Sequence, residues 1–203
     1  MFPLSTVLFP LAGLPLHVFE QRYRSLMADC LAGDGEFGVV LIARGSEVGG
    51  GDERLGVGTT ARIVDAAELE DGRMVVVARG VRRVRVRQWL PDSPYPRALV
   101  EDLPVARSVG LPPAQAAAEA SVRRLRSLLS ELGEVPALPH DLEVVGTAEE
   151  MAWQLCDLAP LGPADRQALL ESASLVEQTE RLVELCTAMA EDVVAMLSGG
   201  PGG

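Results

Sequence analysis

Short apolar runs alternate with clusters of glycine, proline and aspartate through the first hundred residues. Such alternation is typical of short β-strands joined by turns. It predicts strands at residues 7–9, 37–42, 59–64, 74–78, 81–86 and 98–100. One helix is predicted over residues 19–31, with Gly33 as its end, because apolar side chains recur there at helical spacing. Its apolar side consists of Phe19, Tyr23, Leu26, Met27 and Cys30.

Two turn signals interrupt this β region. Asp71 and Gly72 lie between two strand-like runs and predict a type I′ hairpin. Residues 45–51 contain four glycines and predict a mobile loop.

A change of register is predicted near Gly80. The valines concerned are Val75, Val77 and Val81 on odd positions, and Val84 and Val86 on even positions. A one-residue β-bulge would keep both sets facing one core. Bulged, twisted strands suit a closed or half-closed barrel.

Helical signals replace the strand pattern after Pro104. Pro112 and Pro113 open a helix that ends at Gly133. Its apolar residues are Val122, Leu125, Leu128, Leu129 and Leu132. Residues 136–146 are predicted to be a linker. Thr147 and Glu150 form a capping-box pattern before a helix that runs through Trp153 to Leu158.

Two more helices are predicted near the end of the chain. Pro163 begins a short one, and Ser174 with Glu177 caps the last one. The last helix carries a broad apolar stripe of Leu175, Leu182, Leu185, Cys186, Met189, Val193 and Met196. The predicted organisation is therefore an α+β fold, with a β domain over residues 1–105, a helical domain over 106–198 and a disordered tail over 199–203.

The charge is negative and unevenly distributed. The chain has 18 basic residues, all arginine, against 29 acidic residues, for a net charge of −11. Residues 1–104 hold 12 arginines and 14 acidic residues, whereas residues 105–203 hold 6 and 15. Such a surface repels nucleic acid and anionic membranes. The absence of lysine excludes a Schiff base, a Ser–Lys pair and a P-loop lysine.

Other chemistry finds little support. Cys30, Cys156 and Cys186 are scattered, which favours buried thiols in a reducing compartment, and two histidines cannot build a histidine zinc cage. No apolar run is long enough to span a membrane, and prolines interrupt the N-terminal apolar stretch where a signal peptide would lie. We therefore expect a soluble, cytoplasmic protein without cofactor or metal. A catalytic triad from distant parts of the chain is disfavoured.

Two motifs have a functional and a structural interpretation. The stretch of residues 56–61 fits the dinucleotide pattern G-x-G-x-x-A, but a strand-like run follows it, so glycines entering a strand explain it better. The second motif is the arginine run of Arg79, Arg82, Arg83, Arg85 and Arg87. Alternation places Arg83, Arg85 and Arg87 on one outward face, which could grip phosphates with Trp89 nearby for stacking. The overall acidity favours a solvated or internally paired face.

The most specific signal is the N-terminal stretch F-P-L-S-T-V-L-F-P, followed by L-P-L-H-V-F-E-Q-R-Y at residues 14–23. It resembles the opening of the Lon N-terminal domain family. The similarity continues at residues 37–40, 56–63, 79–86, 167–171 and 180–182, and so covers nearly the whole chain. In this interpretation the Phe-Pro pairs bracket a first strand, and Glu20 and Arg22 are buried or half-buried partners.

The resemblance implies a PUA-like β pseudo-barrel with an inserted helix, followed by a C-terminal helical bundle. The chain resembles the freestanding bacterial forms without ATPase or protease domains. This resemblance implies a non-enzymatic module that binds unfolded or extended polypeptide or a dedicated protein partner. An adaptor or regulator of proteolysis is one such role. The alternative is an RNA-binding PUA-like protein that uses the arginine strand. The motifs mark no catalytic, cofactor, metal or substrate-binding residue, so none is assigned.

Overall fold

The computed structural model describes residues 1–44, 53–106, 111–139 and 141–198. Within them lie six strands and five helices, in a mixed fold of two compact units. The first unit is Met1–Pro104, and the second begins at Val105. The predicted glycine-rich loop at 45–51 and the predicted tail at 199–203 lie outside the described residues.

The first unit is a six-stranded sheet with one helix. Its elements are β1 (Phe2–Leu4), β2 (Gly13–Val18), α1 (Gln21–Ala32), β3 (Glu36–Arg44), β4 (Glu53–Glu68), β5 (Met74–Leu90) and β6 (Arg97–Asp102). The strand order is β1-β3-β4-β5-β2, and β6 pairs with β5. The β1–β3 pair is parallel, and the other pairs are antiparallel.

The core of this unit contains the buried side of α1. Tyr23, Leu26, Met27 and Cys30 are buried as the helical spacing predicts, and Gly33 is the C-cap. Phe19 was predicted on this side but precedes the helix and is 56% exposed. The extended backbone of Glu20, the N-cap, starts the helix two residues later than predicted.

The first strand differs from the prediction. Residues 7–9 are buried but form no strand, whereas β1 consists of Phe2–Leu4. The Phe-Pro pairs therefore do not bracket a strand: Pro3 lies inside β1 and Pro10 lies in a turn. Residues 7–9 are apolar because they are buried, although they belong to no strand. Thr59 Oγ1 donates a hydrogen bond of 2.6 Å to the Leu8 carbonyl.

The bulge near Gly80 is confirmed. In the β4–β5 pair, Thr60 lies opposite Arg82 and Ala61 opposite Gly80, so Val81 is the extra residue. The two predicted runs are nevertheless one strand, β5. The assignment of the valines on odd positions was wrong: Val76 and Ala78 are buried, whereas Val77 and Val81 are exposed and Val75 is only half-buried. Of the valines on even positions, Val84 is buried as predicted and Val86 is half-buried. β-Branched residues are common on either face of a strand, so valine by itself does not identify the core face.

The β4–β5 hairpin turns at Asp71 and Gly72, as predicted, but the turn is not type I′. Gly72 has φ +79°, whereas Asp71 is not among the residues with positive φ. Five residues separate the last paired residues, Glu68 and Met74, and the Leu69 N–H donates to the Arg73 carbonyl at 2.8 Å. Type I′ needs positive φ at both central residues, so a longer loop forms here.

The second unit contains four helices among its described residues. They are α2 (Leu111–Glu131), α3 (Ala148–Leu158), α4 (Pro163–Glu171) and α5 (Leu175–Ser198). The Thr147–Glu150 capping box and the start of α4 at Pro163 are confirmed. The Ser174 hydroxyl accepts a hydrogen bond of 3.2 Å from the Glu177 N–H, as the predicted cap requires.

The core of the second unit comes from the apolar stripes of its helices. Its buried side chains include Val122, Leu125, Leu129, Trp153, Leu169, Leu170, Leu182 and Cys186. The stripe on α5 is shorter than predicted, because Met196 in its last turn is 69% exposed. Periodicity fixes which face a residue lies on but not how far along the helix that face is covered.

Candidate functional site

The strands at the two ends of the sheet order, β1 and β2, line the same groove. Its volume is about 280 Å³. The lining residues all fall within the first 23 positions: Phe2, Leu4, Thr6, Leu14, Pro15, Leu16, His17, Val18, Phe19, Glu20 and Tyr23. The groove therefore lies where β1 and β2 would meet if the sheet closed on itself.

A proline lies in the middle of each of these edge strands. Pro3 is the central residue of β1, and Pro15 lies within β2 opposite Val77 of β5. Proline has no N–H to donate to a ladder, and within sheets it is therefore found mainly on edge strands. Within the described residues, β1 pairs with β3 and β2 with β5, and the two edges do not pair with each other. Proline placement thus favours an open groove over a closed sheet.

The wall formed by α1 is held by ring and ion-pair contacts. The rings of Phe2 and Tyr23 stack with their centroids 4.2 Å apart. The Arg22 guanidinium lies 4.4 Å from the Tyr23 ring centroid, and its Nε is 3.0 Å from a Glu20 carboxylate oxygen. Both charged side chains are about one-fifth exposed, which confirms the prediction that they are half-buried partners.

The groove offers apolar contact and little charge. Its titratable side chains besides Tyr23 are His17 and Glu20, and Arg22 balances the charge of Glu20. Phe19 projects at the rim with more than half of its surface exposed. Such a surface suits the binding of an apolar side chain.

The arginine strand forms an internally paired surface. Arg82 contacts the carboxylates of Glu36 and Asp102, each at 2.8 Å, and Arg87 pairs with Glu101. Arg83 was predicted on the outward face with Arg85 and Arg87 but is 3% exposed. It donates to the Pro104 carbonyl at 3.2 Å, so the chain that follows β6 covers it. Alternation predicts the side of the strand on which Arg83 lies, but it does not show that a distant part of the chain covers that side at residue 83.

Glu36 is the centre of this ion-pair network. Its carboxylate accepts hydrogen bonds from Arg82 at 2.8 Å and from Arg62 at 2.7 Å. The Arg82 hydrogen bond, followed by that of Arg62, holds the pKa of Glu36 below its usual value despite partial burial. These ion pairs neutralise the Arg62 and Arg82 side chains, which could otherwise bind a phosphate group.

The remaining candidate motifs have structural roles. Residues 56–61 all lie inside β4, so the G-x-G-x-x-A pattern is part of a strand, as predicted. The three cysteines are buried and free. Burial raises the pKa of Cys30, Cys156 and Cys186, the last to about 12, so these thiols are held protonated. Among the residues that the structure covers, no group of His, Cys, Asp and Glu could hold a metal ion.

A comparison with models of protein families identifies the family of this chain. Residues 1–188 match the model of the ATP-dependent protease La (LON) substrate-binding domain. The chain belongs to the Lon substrate-binding domain family. This confirms the resemblance in the N-terminal stretch, and all the residues that line the groove lie within that stretch.

Relatives and solved structures agree with this assignment. The chain is 29% identical over 186 residues to the Lon protease of Koribacter versatilis, and 31% identical over 180 residues to Lon protease 2 of Sorangium cellulosum. These matches cover 88% and 83% of this chain but only 22% of each relative, so the chain spans about a fifth of their length.

Two solved structures share the fold. A Lon N-terminal domain protein from Xanthomonas campestris has a TM-score of 0.66 and 29% identity, covering 90% of this chain and 95% of its own. The N-terminal domain of a Mycobacterium avium complex Lon protease has a TM-score of 0.63 at 17% identity, covering 91% and 96%. No helix in the described part of the chain is both long and apolar enough to cross a membrane.

The groove residues were not found as a site from the sequence. Their motifs were interpreted as architecture, and no binding residue was assigned. A usable signal was present, because Pro3 and Pro15 both lie within short extended stretches, where proline is confined to strand edges. Two such strands indicate two open edges.

Proposed function

We propose that this member of the Lon substrate-binding domain family is a non-enzymatic module that binds extended polypeptide through the groove between β1 and β2. The observation that carries the proposal is an apolar groove bordered by two strand edges, with Phe19 exposed at its rim. Strand edges offer backbone groups to an extended chain, and adjacent pockets take alternate side chains.

The size of the groove suits a short contact. A volume of about 280 Å³ is near the lower limit of ligand pockets, so it accommodates one or two apolar side chains of a segment. Ordering a flexible segment offsets much of the contact energy, and we expect micromolar dissociation constants, about −8 kcal/mol. The acidic residues that dominate after residue 104 favour segments with basic flanks.

The wider role follows from the relatives, which are Lon proteases. We propose a cytoplasmic adaptor or regulator of proteolysis, with polypeptide or a dedicated protein as its partner. The absence of lysine argues against a Walker ATPase or a Ser–Lys protease in this sequence. We further propose a PUA-like pseudo-barrel over residues 1–105 and a helical bundle over residues 106–198.

Fluorescence anisotropy with a labelled unfolded-protein peptide and a short RNA, each at low and at ~150 mM salt, tests this function. The peptide should bind saturably at both salt concentrations. RNA binding should be weak and should disappear at the higher salt, because counterion release dominates such binding. RNA binding that survives at the higher salt and is lost in an Arg85→Ala, Arg87→Ala double variant would favour the RNA-binding alternative instead.

A matched pair of variants tests whether the peptide binds in the groove. Phe19→Ala removes the exposed ring at the rim and should weaken peptide binding roughly tenfold, as for a contact residue worth more than about 1 kcal/mol. Val64→Ala removes an apolar side chain that is 67% exposed on β4 and does not line the groove, so it should leave the affinity unchanged. Equal affinities for the two variants would exclude the groove.

A further inference from the structure

A second cavity, of about 300 Å³, lies in the helical unit along α2. Arg123, Arg126, Ser127 and Ser130 line it from one face of the helix, because their spacing of three, four and seven residues brings them into register. Residues 137–139, which include Leu138 and Pro139, form the opposite wall. The cavity thus has a cationic, hydroxyl-bearing side and an apolar side.

The charge of Arg126 is not balanced by a carboxylate. Its Nη1 donates to the Leu158 carbonyl at 2.8 Å and its Nη2 to the Pro136 carbonyl at 3.0 Å. Its Nε is buried and has no hydrogen-bond acceptor. Among the ion pairs of the described residues, none includes Arg126, whereas Arg123 pairs with Glu119 at 2.8 Å. A cation that no carboxylate neutralises attracts an anion, so an anion bound in the cavity would supply the missing counter-charge.

We propose that this cavity binds the carboxylate of a small organic acid, with Arg126 as its main charge partner and Leu138 and Pro139 against its hydrocarbon chain. A guanidinium presents a planar pair of donors that matches the two oxygens of a carboxylate. Glu131 also lines the cavity and disfavours a more highly charged anion such as phosphate. This site is in the second unit and does not depend on the polypeptide groove.

Titration calorimetry on the full chain with acetate, butyrate, hexanoate and inorganic phosphate tests the ligand class. Saturable binding that tightens from acetate to hexanoate, by up to about fourfold for each buried methylene, is the expected result. Phosphate should bind more weakly than butyrate. Heats of dilution alone for all three acids would overturn the proposal, and so would phosphate as the tightest ligand.

Two pairs of variants locate the site. Arg126→Gln should weaken hexanoate binding about tenfold. Arg124→Gln is the control, because Arg124 lies on the same helix but does not line this cavity, and it should leave the affinity unchanged. Because Arg126 also holds two backbone carbonyls, Glu131→Gln gives a second arm that leaves those bonds intact. Glu131→Gln should tighten hexanoate binding, and Glu134→Gln, an exposed neighbour outside the cavity, should not. The same response within each pair would mean that only net charge matters and would refute the site.

Discussion

Gly58 is a position at which a single methyl group should sharply damage the sheet of the first unit. A Cβ atom there would lie 2.1 Å from the Val39 carbonyl oxygen and 2.7 Å from Val40 Cγ1. Gly58 pairs directly with Val40 across the β3–β4 ladder, so the clash cannot be relieved without separating the two strands. Gly56, two residues earlier in the same strand, has no atom within 4 Å of its Cβ position.

These two glycines therefore give a matched pair. Overpacking typically costs about 1–3 kcal/mol, and Gly58→Ala should reach the upper end because the clash is with backbone. At roughly 4 °C or more per kcal/mol, the first unit should melt at least about 10 °C lower. Gly56→Ala should be neutral or stabilise by up to about 1 kcal/mol, because alanine restricts the unfolded chain.

Thermal melting of the full chain measures the loss of stability, and hydrogen exchange of amides in β3 and β4 shows that the loss lies in the first unit. Exchange in these strands should accelerate in Gly58→Ala and stay unchanged in Gly56→Ala. If the two variants lose the same stability, the close approach of β3 at Gly58 is not real and the reasoning is refuted.

Three further predictions concern charge, capping and burial. Glu36→Gln should cost about 1 kcal/mol at neutral pH. The pKa of Glu36 in the folded state is lowered from 4.5, so the stability lost in Glu36→Gln should be constant above pH 4.5. It should disappear as the pH falls through the lowered pKa. Urea titrations of both proteins at several pH values measure this difference in the free energy of unfolding. Thr147→Ala should cost about 1 kcal/mol by removing the cap of α3, measured as faster amide exchange at its first turn, and an unchanged rate would contradict the cap. Cys156 and Cys186 should react with a thiol reagent at pH 8 only after unfolding, because burial keeps them protonated, and rapid labelling of the native chain would count against their burial.

Signals that act within a few residues were predicted well from the sequence. The capping box at Thr147 and Glu150 and the glycine after α1 satisfy backbone groups of their own helix. The proline at the start of α4 lacks an N–H at a position where the helix itself offers no acceptor. No distant contact is needed for these, so the sequence pattern was sufficient. The bulge near Gly80 was also predicted, although two of the valines used for it, Val77 and Val81, do not face the core.

Features set by distant pairing were not predictable in the same way. The first strand is Phe2–Leu4 because it pairs in parallel with residues 39–41, a partner that local pattern does not reveal. The burial of Arg83 depends on the chain near Pro104, about twenty residues later. The groove exists because β1 and β2 are both strand edges, which is a property of the sheet order. Family resemblance marked the residues concerned but gave them no role.

The central claim is that the groove between β1 and β2 binds extended polypeptide, and hydrogen exchange of the full chain with and without saturating unfolded polypeptide tests it most directly. The account predicts slower exchange confined to residues 2–6 and 13–23, with no change along the arginines of β5. Protection confined to β5 or to the helices after residue 105, with residues 2–6 and 13–23 unaffected, would contradict it.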